Sequence, residues 1–265
     1  MKYSPKCSLI ISTYNWPEAL DLVLQSVLRQ SVLPDEVIIA DDGSTNQTEV
    51  LINNFQKTFP IPIKHIWQED NGNQKAMIMN KAIAQASYEY IVEVDGDIIM
   101  HKHFIKDHLK FAEANYYLFG SRVTLKKSHL HKIYHNKQIT FNYFSKGIKK
   151  RGRTIHFPFL TKFFKPVDQR SSKFRGCNVS FWKEDFIKVN GYNEAFKGWG
   201  REDSELIERM HNNGIKGKRL KFAGLAYHLY HLEQSKNRLK NNDLIEQQTI
   251  ANKVIRTIDG IDKYL

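Results

Sequence analysis

Apolar and polar positions follow two alternating periods along the first 120 residues. Short runs at 7–12, 36–40, 61–67 and 90–94 are rich in Val and Ile, which predicts buried strands. Between them, Leu20, Val23, Leu24, Val27 and Leu28 recur at helical spacing within 17–30. Residues 48–59 also read as a helix, and so do 74–86, with Met77, Ile78 and Ala82 on one face. Strands alternating with helices predict an α/β fold with a mostly parallel sheet flanked by helices. Such sheets bind ligands beyond the carboxyl ends of their strands. Polar clusters stand there: Thr13-Tyr14-Asn15, Asp41-Asp42-Gly43-Ser44 and Asp95-Gly96-Asp97.

After Gly120 the pattern changes. Residues 125–172 form a basic, aromatic insertion expected to fold as loops and short helices. A returning strand is expected at 174–182, helices at 183–189 and 202–212, and a last strand at 222–230. The tail at 243–261 reads as a helix with Leu244, Ile245, Ile250, Val254, Ile255 and Ile258 roughly on one side. The expected organisation is one domain over 1–234, with halves at 1–120 and 121–234, and a helical tail over 235–265.

Composition narrows the class. Of the 265 residues, 41% are hydrophobic, enough for a sizeable core. No run reaches the roughly 18 apolar residues that cross a bilayer. The N-terminus lacks a signal-peptide layout, and Cys7 and Cys177 are too few for a disulfide framework. Both observations favour a reducing, cytoplasmic setting. The formal charge is +12, and the segment 125–175 alone carries 14 Lys and Arg against the single acid Asp168. A local excess of this kind implies an anionic partner such as phospholipid, a phosphorylated acceptor or nucleic acid.

Three clusters can carry chemistry. Asp95 and Asp97, separated by one glycine at a strand end, suit a hard divalent cation that shares its ligands with phosphates. The same tripeptide also makes an ordinary turn. A carboxylate in Asp41-Asp42-Gly43-Ser44-Thr45 can bond a base or ribose, while Ser44 or Thr45 can simply cap a helix. In Trp199-Gly200-Arg201-Glu202-Asp203 the acids open a helix, where they favour the macrodipole. They can equally supply a general base, with Trp199 offering a flat face to a sugar ring. His228 and His231, three residues apart, are moderate evidence for metal ligation.

These residues resemble a family. Ser8 to Asn15, Val37 to Thr45, Glu69-Asp70-Asn71-Gly72 and Asp95-Gly96-Asp97 resemble the family-2 glycosyltransferases. Phe174 to Trp182, Asn190-Gly191-Tyr192 and Trp199 to Asp203 look like the acceptor side of β-1,4-galactosyltransferases, chondroitin-polymerase modules and polypeptide N-acetylgalactosaminyltransferases. The resemblance implies a GT-A fold, a UDP-sugar donor, Mn²⁺ or Mg²⁺, and inversion at the anomeric carbon. It implies that Thr13, Tyr14, Asn15, Asp41, Asp42, Asn71, Lys75, Asp95, Gly96 and Trp199 surround the nucleotide-sugar. Asp97 would bind the metal with His231 and His228, Asp203 would be the base and Glu202 an acceptor contact. The sequence departs from the pattern at Arg201, often Gly, and at Asn73-Gln74-Lys75, where Arg is usual. The implied acceptor is a glycan or lipid-linked saccharide of lipopolysaccharide or capsule type. The basic insertion would dock the protein peripherally on the cytoplasmic face of the inner membrane. A nucleotidyltransferase would need a Gly-rich phosphate loop near the first strand, which Asn15-Trp16-Pro17-Glu18 does not resemble. A nucleic-acid-binding role would use the basic, aromatic insert for stacking, but no recognised motif accompanies it, so no nucleic acid is expected.

Overall fold

The computed structural model describes residues 4–232 and 235–265. Met1–Tyr3, where no signal-peptide layout was read, and the domain boundary at 234 lie outside the described residues.

In chain order the first elements are β1 (Cys7–Thr13), α1 (Pro17–Leu28), β2 (Glu36–Asp41), α2 (Asn46–Gln56), β3 (Ile63–Trp67), α3 (Lys75–Ala84) and β4 (Tyr90–Asp95). They follow the predicted alternation closely. Next come β5 (Ile98–Met100), α4 (Phe104–Phe111), β6 (Tyr116–Phe119), β7 (Arg122–Leu125), α5 (Leu130–His135) and β8 (Ile148–Lys149). The last are β9 (Asn178–Trp182), α6 (Lys183–Lys188), α7 (Glu202–Asn212), β10 (Lys216–Arg219), β11 (Ala226–His228) and α8 (Leu239–Ala251).

A seven-stranded sheet runs β10-β6-β9-β4-β1-β2-β3. All neighbours in it are parallel except β9, which runs antiparallel to both β4 and β6. Successive side chains of a strand point to opposite faces. Ile10, Ile38 and Ile91 therefore join one core with α3, α6 and α7, while Leu9, Ile11, Val37, Ile39, Val92 and Val94 join another with α1 and α4. Each such Leu or Ile contributes about 1.5–3 kcal/mol on burial. Both faces are covered, which is why these strands read as continuous apolar runs.

A second, four-stranded sheet has the order β5-β11-β7-β8. The strand expected at 222–230 is shorter, Ala226–His228, and belongs to this second sheet. The basic insertion packs partly into it, because Ile133, Phe141 and Ile148 share a core with Tyr227 and Leu229.

The tail differs from expectation. The helix starts earlier and ends at Ala251, and it buries Asn242, Glu246 and Thr249. Leu244, Ile250, Ile255 and Ile258 are exposed. Charged and polar groups of α7 set this orientation. Ser204 Oγ donates to Glu246, Thr249 Oγ1 donates to Glu205 at 2.9 Å, and Arg201 pairs with Asp243 at 2.5 Å. Beyond the helix, Asn190 Nδ2 donates to the Thr257 carbonyl at 2.9 Å and ties the following turns and bends to the turn after α6.

Candidate active site

The loops that end β1, β2 and β4 meet at one edge of the sheet. In the parallel register Ser12 lies beside Asp95 and Thr13 beside Asp41. Gly96 N–H donates to the Ser12 carbonyl at 2.7 Å. A Cβ on Gly96 would stand 2.7 Å from that same oxygen, so only glycine permits the approach. The turn delivers Asp97 directly into β5.

Strand pairing then brings the far end of the chain to Asp97. β11 runs antiparallel to β5 with His228 opposite Ile98, and Leu229 N–H donates to the Asp97 carbonyl at 3.0 Å. The Asp97 Oδ2 lies 3.2 Å from His228 Nε2 and 3.3 Å from His231 Nε2. One ligand atom from each residue falls within 4.8 Å of the others. The buried Asp97 Oδ1 has no hydrogen-bond partner. Burial and then the neighbouring Asp95 charge push the Asp97 carboxyl up to about 8. Burial, then Arg122 and His231, pull His228 down to about 3, so its imidazole is neutral. The neutral His228 imidazole and the orphaned Asp97 oxygen, with the His231 ring beside them, fit a divalent cation. The residues expected to bind metal are thus the ones the fold assembles.

Asp95 faces the other way, into a charged cluster. Its Oδ1 accepts from Lys75 Nζ at 2.6 Å and from Ser12 Oγ at 3.0 Å. Burial opposes ionisation of Asp95, but Lys75 and Ser12 outweigh it and hold the carboxyl below its usual range. Burial likewise works against the Lys75 ammonium, which Asp95, Glu202 and Glu93 hold well above its ordinary value. Lys75 thus places a fixed positive charge at this wall.

Glu93 was not anticipated as part of this cluster. It lies two residues before Asp95 on the same face of β4 and is fully buried. Tyr192 Oη donates to both of its oxygens, at 2.8 and 2.9 Å. Burial pushes its carboxyl up to about 8, against the pull of Lys75. The folded carboxyl therefore binds a proton more tightly than the unfolded one. The stability this provides is full below the ordinary glutamate value and is lost as pH rises through about 8. Glu93→Gln is accordingly expected to gain on the order of 2 kcal/mol over the wild type at pH 9 and little at pH 5, read by denaturant melts at both pH values.

At the opposite wall, α7 begins with Arg201 at φ +81°, between Gly200 and Glu202. A residue bearing a Cβ is strained there, and a glycine would not be. The Arg201 pairs with Asp243 at 2.5 Å and Glu246 at 3.5 Å offset the strain. Asp203 Oδ2 accepts Gly176 N–H at 2.8 Å and Oδ1 accepts Ser204 N–H at 2.6 Å. A Cβ on Gly176 would lie 2.7 Å from the Asp203 side chain. Glu202 Oε2 is buried without a partner, and burial followed by the Asp203 charge pushes its carboxyl up to about 7. Trp199 is 41% exposed, with Lys236 Nζ 5.9 Å from its ring centroid.

The residues expected around the nucleotide lie together, but they are engaged unequally. Asp41 accepts Ser44 N–H at 2.8 Å and pairs with His65 Nε2 at 2.9 Å, and it is 1% exposed. Asp42 accepts Gln68 Nε2 at 2.6 Å and Gln74 N–H at 2.8 Å. Asn15, at φ +46°, clasps the next loop through Ser44 Oγ and Thr45 N–H. Asp42 thus anchors both ends of the loop bearing the exposed Asn71, while Asp41 ties its own turn to β3. Thr13 is buried, with its Oγ1 beside Gly96. Tyr14 is 49% exposed, and its hydroxyl donates to Asp70 at 2.8 Å. It is the open aromatic surface of this wall.

Comparison with known proteins identifies the family and the fold. The "Glycosyl transferase family 2" model matches residues 8–174, and the "N-terminal domain of galactosyltransferase" model matches 160–232. A chondroitin synthase from Escherichia coli is 27% identical over 239 residues, covering 83% of this chain and 34% of its own length. A GalNAc(5)-diNAcBac-PP-undecaprenol beta-1,3-glucosyltransferase from Campylobacter jejuni is 26% identical over 200 residues, covering 73% of this chain and 57% of its own length. The chain thus spans between a third and somewhat over half of these relatives. Among solved structures, the mannosyltransferase PcManGT from Pyrobaculum calidifontis in complex with GDP-Man and Mn²⁺ superposes with a TM-score of 0.63 at 17% identity, over 98% of this chain and 66% of that one. S. aureus TarS 1-349 in complex with UDP gives 0.63 at 17% identity, over 98% and 68%. The mixed α/β architecture, with its mostly parallel central sheet, is the GT-A fold. The chain belongs to glycosyl transferase family 2.

Proposed function

We propose that the chain is an inverting, metal-dependent glycosyltransferase that moves a hexose or N-acetylhexosamine from a UDP-sugar to a hydroxyl of a glycan or lipid-linked saccharide. The observation that carries this reading is the convergence of Asp97, His228 and His231 opposite the acidic start of α7. Asp97, His228 and His231 would hold Mn²⁺ or Mg²⁺, which supplies Lewis-acid stabilisation of the charge left on the donor β-phosphate. Lys75 adds a fixed positive charge to the same wall. Asp203 takes the proton of the acceptor hydroxyl, with its carboxylate aimed by the Gly176 and Ser204 N–H groups. Glu202 offers an unpartnered oxygen to the acceptor's hydroxyls, and Trp199 a face for its ring. Tyr14 lies against the base. The undecaprenol-linked acceptor named for the Campylobacter relative and the UDP bound by TarS support this choice of substrates.

A screen of UDP-galactose, UDP-glucose and their N-acetylated forms with Mn²⁺ tests the reading. Slow UDP release from one of them is expected. Release from none of them, in a protein that binds no UDP, removes it.

The insertion gives the reading its setting. No helix among the described residues is long and apolar enough to cross a membrane. Phe144, Phe159 and Phe163 are 85%, 56% and 69% exposed, and lysines 162 and 165 flank the latter two. Aromatic rings with basic neighbours suit the surface of an anionic bilayer, where each Lys or Arg contributes about 1 kcal/mol. Wild type is expected to float with phosphatidylglycerol vesicles, and a Phe159→Ser, Lys162→Glu, Phe163→Ser variant at least fivefold less. Equal flotation excludes this docking face.

A further inference from the structure

The charge of the insertion does not end at its surface. Beside the transfer site lies a cavity of about 150 Å³, walled by Arg122, Lys150, Arg153, Lys173, Arg175 and Arg219. By the same measure a single water needs about 10–15 Å³, so a polyatomic anion fits. No carboxylate lines the cavity. Among the described residues, none of the six cations forms an ion pair with an acid. Other arginines of this protein are paired: Arg209 with Glu205, Arg170 with Glu208 and Arg201 with Asp243.

The four arginines are held in place by neutral groups. Arg153 Nη1 donates to the Arg122 carbonyl at 3.0 Å, Arg219 Nη2 to Ser121 Oγ at 3.0 Å, and Arg122 Nη1 to Cys177 Sγ at 3.4 Å. Arg175 Nη1 donates to the Ser172 carbonyl at 3.2 Å. These bonds orient the guanidinium groups without neutralising them; Arg122 also feels the Asp95 and Asp97 charges, but makes no ion pair with either. Arg219 Nε is buried with no partner. Lys150 sits at φ +58°, a strained conformation for a residue with a Cβ. Arg153 and its neighbours pull the Lys150 ammonium below its usual range. Like charges assembled at such expense form a ready receptor for a multiply charged anion, and guanidinium forks match phosphate oxygens.

The position tells donor from acceptor. The candidate nucleotide contacts end β1 and β2, on one side of β4. Gly120 follows β6 and Arg219 ends β10, on the other side. Arg175 directly precedes Gly176, whose N–H holds Asp203. We propose that this cavity is the subsite for a phosphate or diphosphate group carried by the acceptor. The assignment to the acceptor rests on the transfer reading above, while the anion site itself does not.

The test reads binding, with EDTA-treated protein so that no metal-held phosphate contributes. Calorimetric titration with inorganic pyrophosphate and with N-acetylglucosamine 1-phosphate is expected to show binding that a Lys150→Ser, Lys173→Ser double variant weakens at least tenfold. UDP affinity in Mn²⁺ should stay within twofold, which shows that the variant is folded. Unchanged pyrophosphate affinity in the variant overturns the site. Competitive displacement of pyrophosphate by UDP reassigns the cavity to the donor and overturns the acceptor role. If the variant loses only its binding to phosphatidylglycerol vesicles, the phosphate belongs to bilayer lipid, which also overturns it. Pyrophosphate binding through these lysines in a protein that cleaves no UDP-sugar would sink the transfer reading and leave the anion site standing.

Discussion

Asp203→Asn lowers transfer by about 10²- to 10⁴-fold and leaves UDP affinity in Mn²⁺ within twofold of wild type; this is the expected result of removing a general base. The substitution keeps shape and volume. Asp203 stands in the first turn of α7, and its oxygens accept from Gly176 N–H at 2.8 Å and Ser204 N–H at 2.6 Å. An asparagine carbonyl can keep one of these bonds but cannot take a proton. Glu202→Gln provides the contrast. Its Oε2 has no partner, so its loss should raise the acceptor KM more than it lowers kcat. Initial rates over a grid of donor and acceptor concentrations separate the two. Wild-type turnover in Asp203→Asn, with turnover lost in Glu202→Gln, would move the base to Glu202.

The sheet was legible because β1, β2 and β4 are buried on both faces, and a buried strand reads as a continuous apolar run. Helix α7 was legible to the residue, since its acids and flanking glycines mark the start. The tail was misread for a physical reason. Its apolar residues suggested a buried face, yet Arg201, Ser204 and Glu205 recruit the polar face of α8 and leave Leu244 and Ile250 in solvent. Nothing in the spacing of 239–251 encodes a partner that lies 40 residues upstream. Strand β11 shrank for a similar reason, because a three-residue pairing with β5 is a tertiary event.

The site shows the same division. Asp97 was visible from its place after a strand and the two histidines from their spacing, but their union in one site only through the family resemblance, because 131 positions of chain separate Asp97 from His228. Glu93 carried a signal that went unused: a lone acid inside Ile91-Val92-Glu93-Val94 must find a partner when buried, and it finds Tyr192. Arg122 carried none, since a single basic residue in a basic stretch looks solvated. Asp41 and Asp42 were read as nucleotide ligands, and the structure adds the bonds by which Asp41 holds its own turn against β3, through Ser44 and His65, and Asp42 anchors the neighbouring loop, through Gln68 and Gln74.

Chelation and Asp97→Asn should both remove activity but act in opposite directions on stability. EDTA is expected to abolish UDP release from the donor, and added Mn²⁺ to restore it. Asp97→Asn should reduce release at least 10³-fold whatever the Mn²⁺ concentration. In EDTA, however, the variant should be the more stable protein. The wild-type carboxylate is 8% exposed, and its Oδ1 has no partner. With the carboxyl pushed up to about 8, folding of the metal-free wild type at neutral pH must take up a proton or bury a charge, a cost that a neutral amide avoids. A gain of about 1–2 kcal/mol corresponds to several degrees in Tm for a chain of this size. Saturating Mn²⁺ reverses the order, because a ligand at 100 times its Kd stabilises the folded state by about 2.7 kcal/mol and the variant lacks that site. Thermal melts of both proteins in EDTA and in Mn²⁺ make the comparison. An Asp97→Asn protein that gains as much Tm from Mn²⁺ as the wild type would place the cation elsewhere. The crossing of the two orders is the signature of a carboxylate kept at the expense of stability for a cation.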